Sequence, residues 1–202
     1  ISLAEQCFLN EYVFVQSNKE SGYINQLKNS LENDKTIKEL EIAILGCYIP
    51  LYSSEIIVEK LLNYKSKNIL FNDLINMQIK EPSKEKELLN SIKSLGKISD
   101  DTSQKVRDQY EENPYPRWRY TYLKAPSNPL NIINNQIRPN KIKFNNKFNN
   151  PNILVAGCGT GKHIFVAEDY LNANILVVDL SIASLAYAKR KTEELGLNNV
   201  EF

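Results

Sequence analysis

The chain has 202 residues, 42% of them hydrophobic and 24% charged, with 25 Lys and Arg against 24 Asp and Glu for a net charge of +1. These values exclude a wholly disordered chain, and the near-neutral balance lacks the charge signature of a nucleic-acid-binding domain. No apolar run is long enough to span a membrane. Cys7, Cys47 and Cys158 are odd in number and far apart, so they form neither a disulfide framework nor a zinc spacing. That pattern fits a reducing compartment, and a cytoplasmic location is expected. The chain begins at Ile1, and Glu5, Asn10 and Glu11 interrupt any signal-peptide core. It stops at Val200-Glu201-Phe202, inside what reads as a strand, so a fragment cut at both ends is expected.

Residues 1–98 read as an all-α domain of five or six short helices. Tyr23, Ile24, Leu27 and Leu31 recur at helical spacing, as do Ile37, Leu40, Ile44 and Leu45. Ile56, Ile57, Lys60, Leu61 and Tyr64 form a third stripe after Pro50. Ile69, Leu70, Asp73, Leu74 and Met77 form a fourth, which Pro82 is expected to end. Ser83 is placed to N-cap a last helix through Leu88 and Ile92, with Gly96 at its C-cap. The stripes read as core packing, and no repeat of thirty to forty residues is evident.

Residues 99–150 read as a linker and lid segment. Asp101 or Thr102 is expected to cap a short helix through Val106, Arg107 and Tyr110. Asn113-Pro114-Tyr115-Pro116 stops it, because a residue before proline is pushed out of the helical region. Arg117-Trp118-Arg119-Tyr120 follows and holds the chain's one Trp, so this stretch reads either as a stiff connector with packed aromatics or as a cover for a ligand. From Asn128 to Asn152 ten of twenty-five positions are Asn, with basic residues and no acid. Such a run can touch phosphates, but it reads as a solvated linker with one short element near Ile132 or Ile142, and no nucleic-acid partner is assigned.

From Pro151 the pattern becomes α/β. Ile153-Leu154-Val155-Ala156 is a buried parallel strand, and Lys162 to Leu171 reads as a helix. Ile175-Leu176-Val177-Val178 is a second strand ending in Asp179, Ser181 to Leu195 a helix, and Val200-Glu201-Phe202 a third strand. β-α-β-α-β is half of a doubly wound sheet. Between the first strand and helix lies Gly157-Cys158-Gly159-Thr160-Gly161, where absent side chains let a ligand approach backbone and the next helix can offer free N–H groups. A phosphate-binding P-loop fails at two positions, Ala156 and His163. A dinucleotide fingerprint fails at Lys162, because the third glycine comes one residue early. A carboxylate at the end of the second strand can accept both hydroxyl hydrogens of a ribose, at about 1.5–3 kcal/mol per charge-assisted bond.

A G-x-G-x-G loop after an apolar strand, with Asp179 ending the next, resembles the class I S-adenosylmethionine-dependent methyltransferases. The likeness continues through Asp179-Leu180-Ser181 and Leu185-Ala186-Tyr187-Ala188. Upstream, Gln109-Tyr110-Glu111-Glu112-Asn113-Pro114-Tyr115-Pro116-Arg117-Trp118 resembles a stretch found where tetratricopeptide-type helical repeats precede such a domain. The resemblance implies a partial Rossmann-like sheet of strands one to three in residues 151–202, with S-adenosylmethionine as cofactor. It implies that Gly157, Cys158, Gly159 and Gly161 pass beside the methionine part of the donor, that Asp179 and Leu180 hold its nucleoside, and that Tyr110 or Trp118 covers it. Cys158 also reads as a small buried filler, and Lys162 and His163 as structural residues with no metal role. Strands beyond the third and the acceptor-contacting residues would lie past Phe202, so no catalytic residue is named. The chain alone is therefore expected to bind the donor weakly or not at all and to be inactive. The helical half would select an acceptor or a protein partner. A nucleotide-cofactor oxidoreductase and a non-catalytic binding module are the competing readings.

Overall fold

The computed structural model describes residues 1–112, 114–143 and 150–202. The chain divides into two compact units, Ile1–Lys86 and Glu87–Phe202, so residues 87–98 group with the α/β part.

The first unit contains α1 (Ser2–Leu9), α2 (Asn18–Asn33), α3 (Glu39–Leu45), α4 (Glu55–Leu61) and α5 (Ile69–Ile75). Helix α2 starts with a capping box, in which Ser17 and Glu20 satisfy each other's free backbone amides. Where α2 ends, Lys60 Nζ donates to the carbonyls of Leu31, Glu32 and Asp34 at 2.7, 2.8 and 2.7 Å, satisfying acceptors the helix leaves open. The buried faces are narrower than the apolar stripes. Ile24, Leu31, Leu45, Ile57 and Leu61 are buried, whereas Tyr23, Leu40, Ile44, Ile56, Ile69 and Leu70 are exposed.

The buried face of α5 and the turn after it is Phe71, Leu74, Ile75, Gln78 and Ile79, at the i, i+3, i+4, i+7 and i+8 spacing of one helix face. The stripe read from the sequence shares Leu74 with this face, and its Met77 is also buried, but it leaves out the polar Gln78. Gln78 Nε2 donates to Ala4 O and Gly46 O, both at 3.1 Å, and Oε1 accepts from Leu51 N at 3.1 Å and Tyr12 OH at 3.3 Å. All four hydrogen-bonding sites of the buried amide are therefore filled.

Pro82 does not end the helix. A π-type turn at Asn76–Lys80 joins α5 to α6 (Glu81–Leu88). The wider turn lets the proline ring pass the preceding carbonyls. Ser83 donates to Ile79 O at 2.7 Å instead of capping, and Gly96 lies beyond the helical residues.

The second unit contains α7 (Asp101–Glu112), α8 (Pro129–Gln136), β1 (Asn152–Ala156), α9 (Ile164–Ala167), β2 (Asn174–Val178), α10 (Ile182–Glu194) and β3 (Val200–Glu201). The start of α7 is held one residue earlier than expected, by Asp100, whose carboxylate accepts from Ser103 N at 2.7 Å. The expected stop at Asn113 lies outside the described residues. The Asn-rich stretch does hold one helix, α8, capped by Asn128, whose side chain accepts from Leu130 N at 2.9 Å.

The three strands are parallel in the order β1-β2-β3, with Leu154 opposite Leu176 and Leu176 opposite Glu201. Ile153, Val155, Ile175 and Val177 face one way and pack with Ile164, Leu185 and Ala188 of α9 and α10. An α/β unit with a Rossmann-like three-stranded sheet is thus the fold of this half.

Only Ile164–Ala167 of the expected Lys162–Leu171 helix is α-helical. The rest is drawn off by a parallel bridge between Ser127 and Tyr170, in which Ser127 N donates to Asp169 O and Leu171 N to Ser127 O. No helix among the described residues is long and apolar enough to cross a membrane.

Candidate functional site

Parallel strands bring their C-terminal ends to one edge, which is where open α/β sheets bind ligands. At that edge the glycine loop leaves β1 and Asp179 leaves β2. The two are joined directly. Gly159 N donates to Asp179 Oδ2 at 2.8 Å, and Ser181 N donates to Asp179 Oδ1 at 3.0 Å. A carboxylate has about four lone-pair sites, so roughly two remain free for a ligand diol. Gly157 N and Cys158 N both donate to Val178 O, at 2.8 and 3.3 Å. Three successive loop amides are therefore committed inside the protein.

A hollow of about 1200 Å³ opens here. It is lined by Gly157, Gly159, Asp179 and Leu180 from the strand tips and by Arg107, Tyr110 and Tyr115 from the upstream segment. Of the residues assigned to the donor from sequence, Gly157, Gly159, Asp179, Leu180 and Tyr110 are brought together around it. Cys158 and Gly161 are not among its lining residues.

A hypothetical Cβ separates Gly161 from the other two loop glycines. At Gly159, with φ +52°, a Cβ meets nothing within 4 Å, so bare backbone faces open space. At Gly161, with φ +93°, a Cβ would lie 2.8 Å from Ala188 Cβ. Gly161 therefore allows α10 to pack against the loop. Cys158 is buried beneath the loop, and burial, with the charge of Asp179 second, pushes its thiol up to about 12. It stays protonated and is a small filler, not a nucleophile.

Trp118 does not cover the hollow. It is buried behind the glycine loop, where its indole Nε1 donates to Thr160 O at 3.0 Å while Thr160 Oγ1 donates to Pro116 O at 2.8 Å. Tyr187 OH donates to Trp118 O, and the Trp118 ring makes edge contacts with Phe165 and Tyr187. The two readings of this stretch thus apply to different residues: Trp118 anchors the segment, and Tyr115 faces the hollow.

Glu111 carries a function that the sequence reading did not assign. From α7 it accepts the backbone N–H of Ile182, and also that of Ala183 at 3.3–3.4 Å, at the start of α10. Ser181 Oγ accepts from Ser184 N at 3.0 Å. Together they satisfy the first three amides of the helix, where a negative charge is also favoured by its dipole. The signal in the sequence is a long acid inside a conspicuous motif, but the distance of 71 residues hides its partner.

A glycine loop from one strand and an acid from the next thus meet around one hollow at the edge of an α/β unit. The family model for a methyltransferase domain matches residues 147–202, the segment whose motifs resemble those of the class I methyltransferases. Among solved structures, the crystal structure of coclaurine N-methyltransferase bound to N-methylheliamine and SAH is similar at 18% identity and a TM-score of 0.25. That match covers 99% of this chain and 48% of the other, so the chain spans about half its length. No curated protein matches the chain.

Proposed function

We propose that the second unit binds S-adenosylmethionine in the hollow and that the protein transfers the donor's methyl group to an acceptor. Bound there, the donor would supply a methyl carbon on a sulfonium. The acceptor's lone pair forms the new bond to carbon as the sulfur–carbon bond breaks and sulfur keeps its electron pair. The protein's part is to bind and orient, because an in-line displacement depends on alignment.

The observation that carries this reading is the bonding of Asp179. Its carboxylate braces the loop through Gly159 N and still has acceptor capacity for a ribose diol. Gly159 offers backbone with no side chain in the way. The same bonds weigh against an oxidoreductase. A pyrophosphate needs loop N–H groups, and those of Gly157, Cys158 and Gly159 already serve Val178 O and Asp179. The N-terminal helices are assigned selection of the acceptor or of a protein partner. The hollow is lined by residues from 93 onward, while the first unit folds around its own core.

Titration with S-adenosylhomocysteine, followed by ¹⁵N amide shifts, tests the reading and detects binding as weak as millimolar. Shifts at Gly157, Gly159 and Leu180 are expected, with affinity at least tenfold lower in Asp179→Asn. Absence of shifts, or equal shifts with NADH, would overturn it.

A further inference from the structure

We propose that Glu111 is a positioning residue for the donor, a latch that holds α7 across the hollow. The inference rests on the donor-binding reading and adds to it the element that closes the site.

Among the described residues, little apolar burial holds helix α7 in place. It buries no side chain, and Val106 and Tyr110, its apolar residues, are 41% and 39% exposed. Apolar burial is what normally fixes a helix this short, because its intrinsic stability in water is marginal. Yet three of its residues, Val106, Arg107 and Tyr110, line the hollow together with Asp179 and Leu180. What ties the end of α7 to the strand-tip edge is the Glu111 carboxylate on Ile182 N and Ala183 N. Those amides begin the helix that starts three residues after Asp179. The latch therefore fixes Tyr110, the preceding residue, relative to the ribose carboxylate. Its partners are backbone groups of a 13-residue helix packed on the sheet, so the anchor is rigid where α7 is not.

The geometry has a second consequence. A carboxylate already on the start of α10 denies that helix terminus to any phosphate on the ligand ribose. Donor alignment and rejection of phosphorylated nucleosides thus depend on the same side chain.

The test uses the full chain in three forms: wild type, Glu111→Ala and Glu111→Gln. Amide hydrogen exchange across residues 101–112 is read without ligand, and S-adenosylhomocysteine affinity is read by amide shifts at Gly157 and Gly159. In Glu111→Ala, exchange of α7 is expected to rise about tenfold while β1 and β2 keep their protection, and affinity to fall at least fivefold. Glu111→Gln keeps an oxygen acceptor and is expected to restore most of both. A purely structural role would loosen α10 and the strands as well and would leave the affinity of the folded protein unchanged. If wild type binds but Glu111→Ala binds within twofold, or α7 exchange does not change, the latch is wrong and the donor reading stands. If wild type shows no shifts, the donor reading fails and the latch falls with it. Should Glu111→Ala lose the whole unit's protection, Glu111→Gln decides alone: wild-type α7 exchange with wild-type affinity is expected, and weakened affinity at unchanged exchange would overturn the proposal.

Discussion

Substituting alanine at Gly161 and at Gly159 should have opposite effects, although the two glycines are two residues apart. At Gly161 two costs add. An L residue forced to φ +93° costs about 1–2 kcal/mol. The new methyl would lie 2.8 Å from Ala188 Cβ and 3.2 Å from both Ala188 Cα and Ile164 Cδ1. Overpacking of that kind costs about 1–3 kcal/mol. The sum, about 2–5 kcal/mol, is a large share of a domain stability of about 5–15 kcal/mol. At Gly159 the backbone, at φ +52°, lies in the left-handed well, where alanine costs about 1 kcal/mol, and the methyl meets nothing within 4 Å. Trp118 is the chain's one tryptophan and bonds to Thr160 between the two glycines, so its fluorescence reports on this unit alone. Thermal unfolding followed by that signal should show Gly161→Ala falling by roughly 8–20 °C and Gly159→Ala by only a few degrees. Ligand titration should show the reverse, with Gly159→Ala losing at least tenfold in affinity because its methyl enters the hollow. Equal melting of Gly161→Ala and wild type, or greater destabilisation at Gly159, would refute the division of labour.

In the first unit, Gln78→Leu removes the partner of the buried Leu51 N–H and should destabilise that unit by about 1–3 kcal/mol. Urea unfolding followed by helical circular dichroism checks this, and a change below about 0.5 kcal/mol would show that the amide network is dispensable. Cys158, with its thiol pushed up to about 12, has about one thiolate in ten thousand at pH 8, so iodoacetamide should label it roughly a thousandfold more slowly than a free cysteine until the unit unfolds. Peptide mapping of the native protein showing rapid Cys158 labelling would contradict the burial argument. Asp34 is held at about 2, first by the Thr36 backbone N–H, then by the Thr36 hydroxyl and Lys38. Its folded value lies below the unfolded value of about 3.9, so its contribution is present above that pH and is lost as pH falls toward 2. Asp34→Asn should therefore flatten the acid limb of the stability profile between about pH 4 and 2; an unchanged limb would remove Asp34 from the account.

Much of the second unit could be read from the sequence because its features are local. Ile153–Ala156 and Ile175–Val178 are short apolar runs, and both are strands; Ser181 caps the helix that follows, as its position before an apolar stretch suggests. A glycine loop after one strand and an acid after the next lie at fixed separations in any parallel β-α-β unit, so sequence spacing alone determined that Gly159 and Asp179 would share an edge. Contacts between distant residues were not legible in the same way. The glycine loop could have offered its amides to a ligand, and only the folded chain gives them to Val178 O and the Asp179 carboxylate. The helix after the loop is cut short by Ser127, some forty residues upstream. Trp118 and Tyr110 are equivalent aromatics in a linear reading, yet one is a pillar behind the loop and the other a wall of the hollow. Gln78 and Glu111 find their partners far along the chain, where no local spacing points to them. Local periodicity and spacing set which residues can form an element. Whether a polar group then faces water, a ligand or another backbone depends on partners far along the chain, and that is decided only when the backbone folds around it.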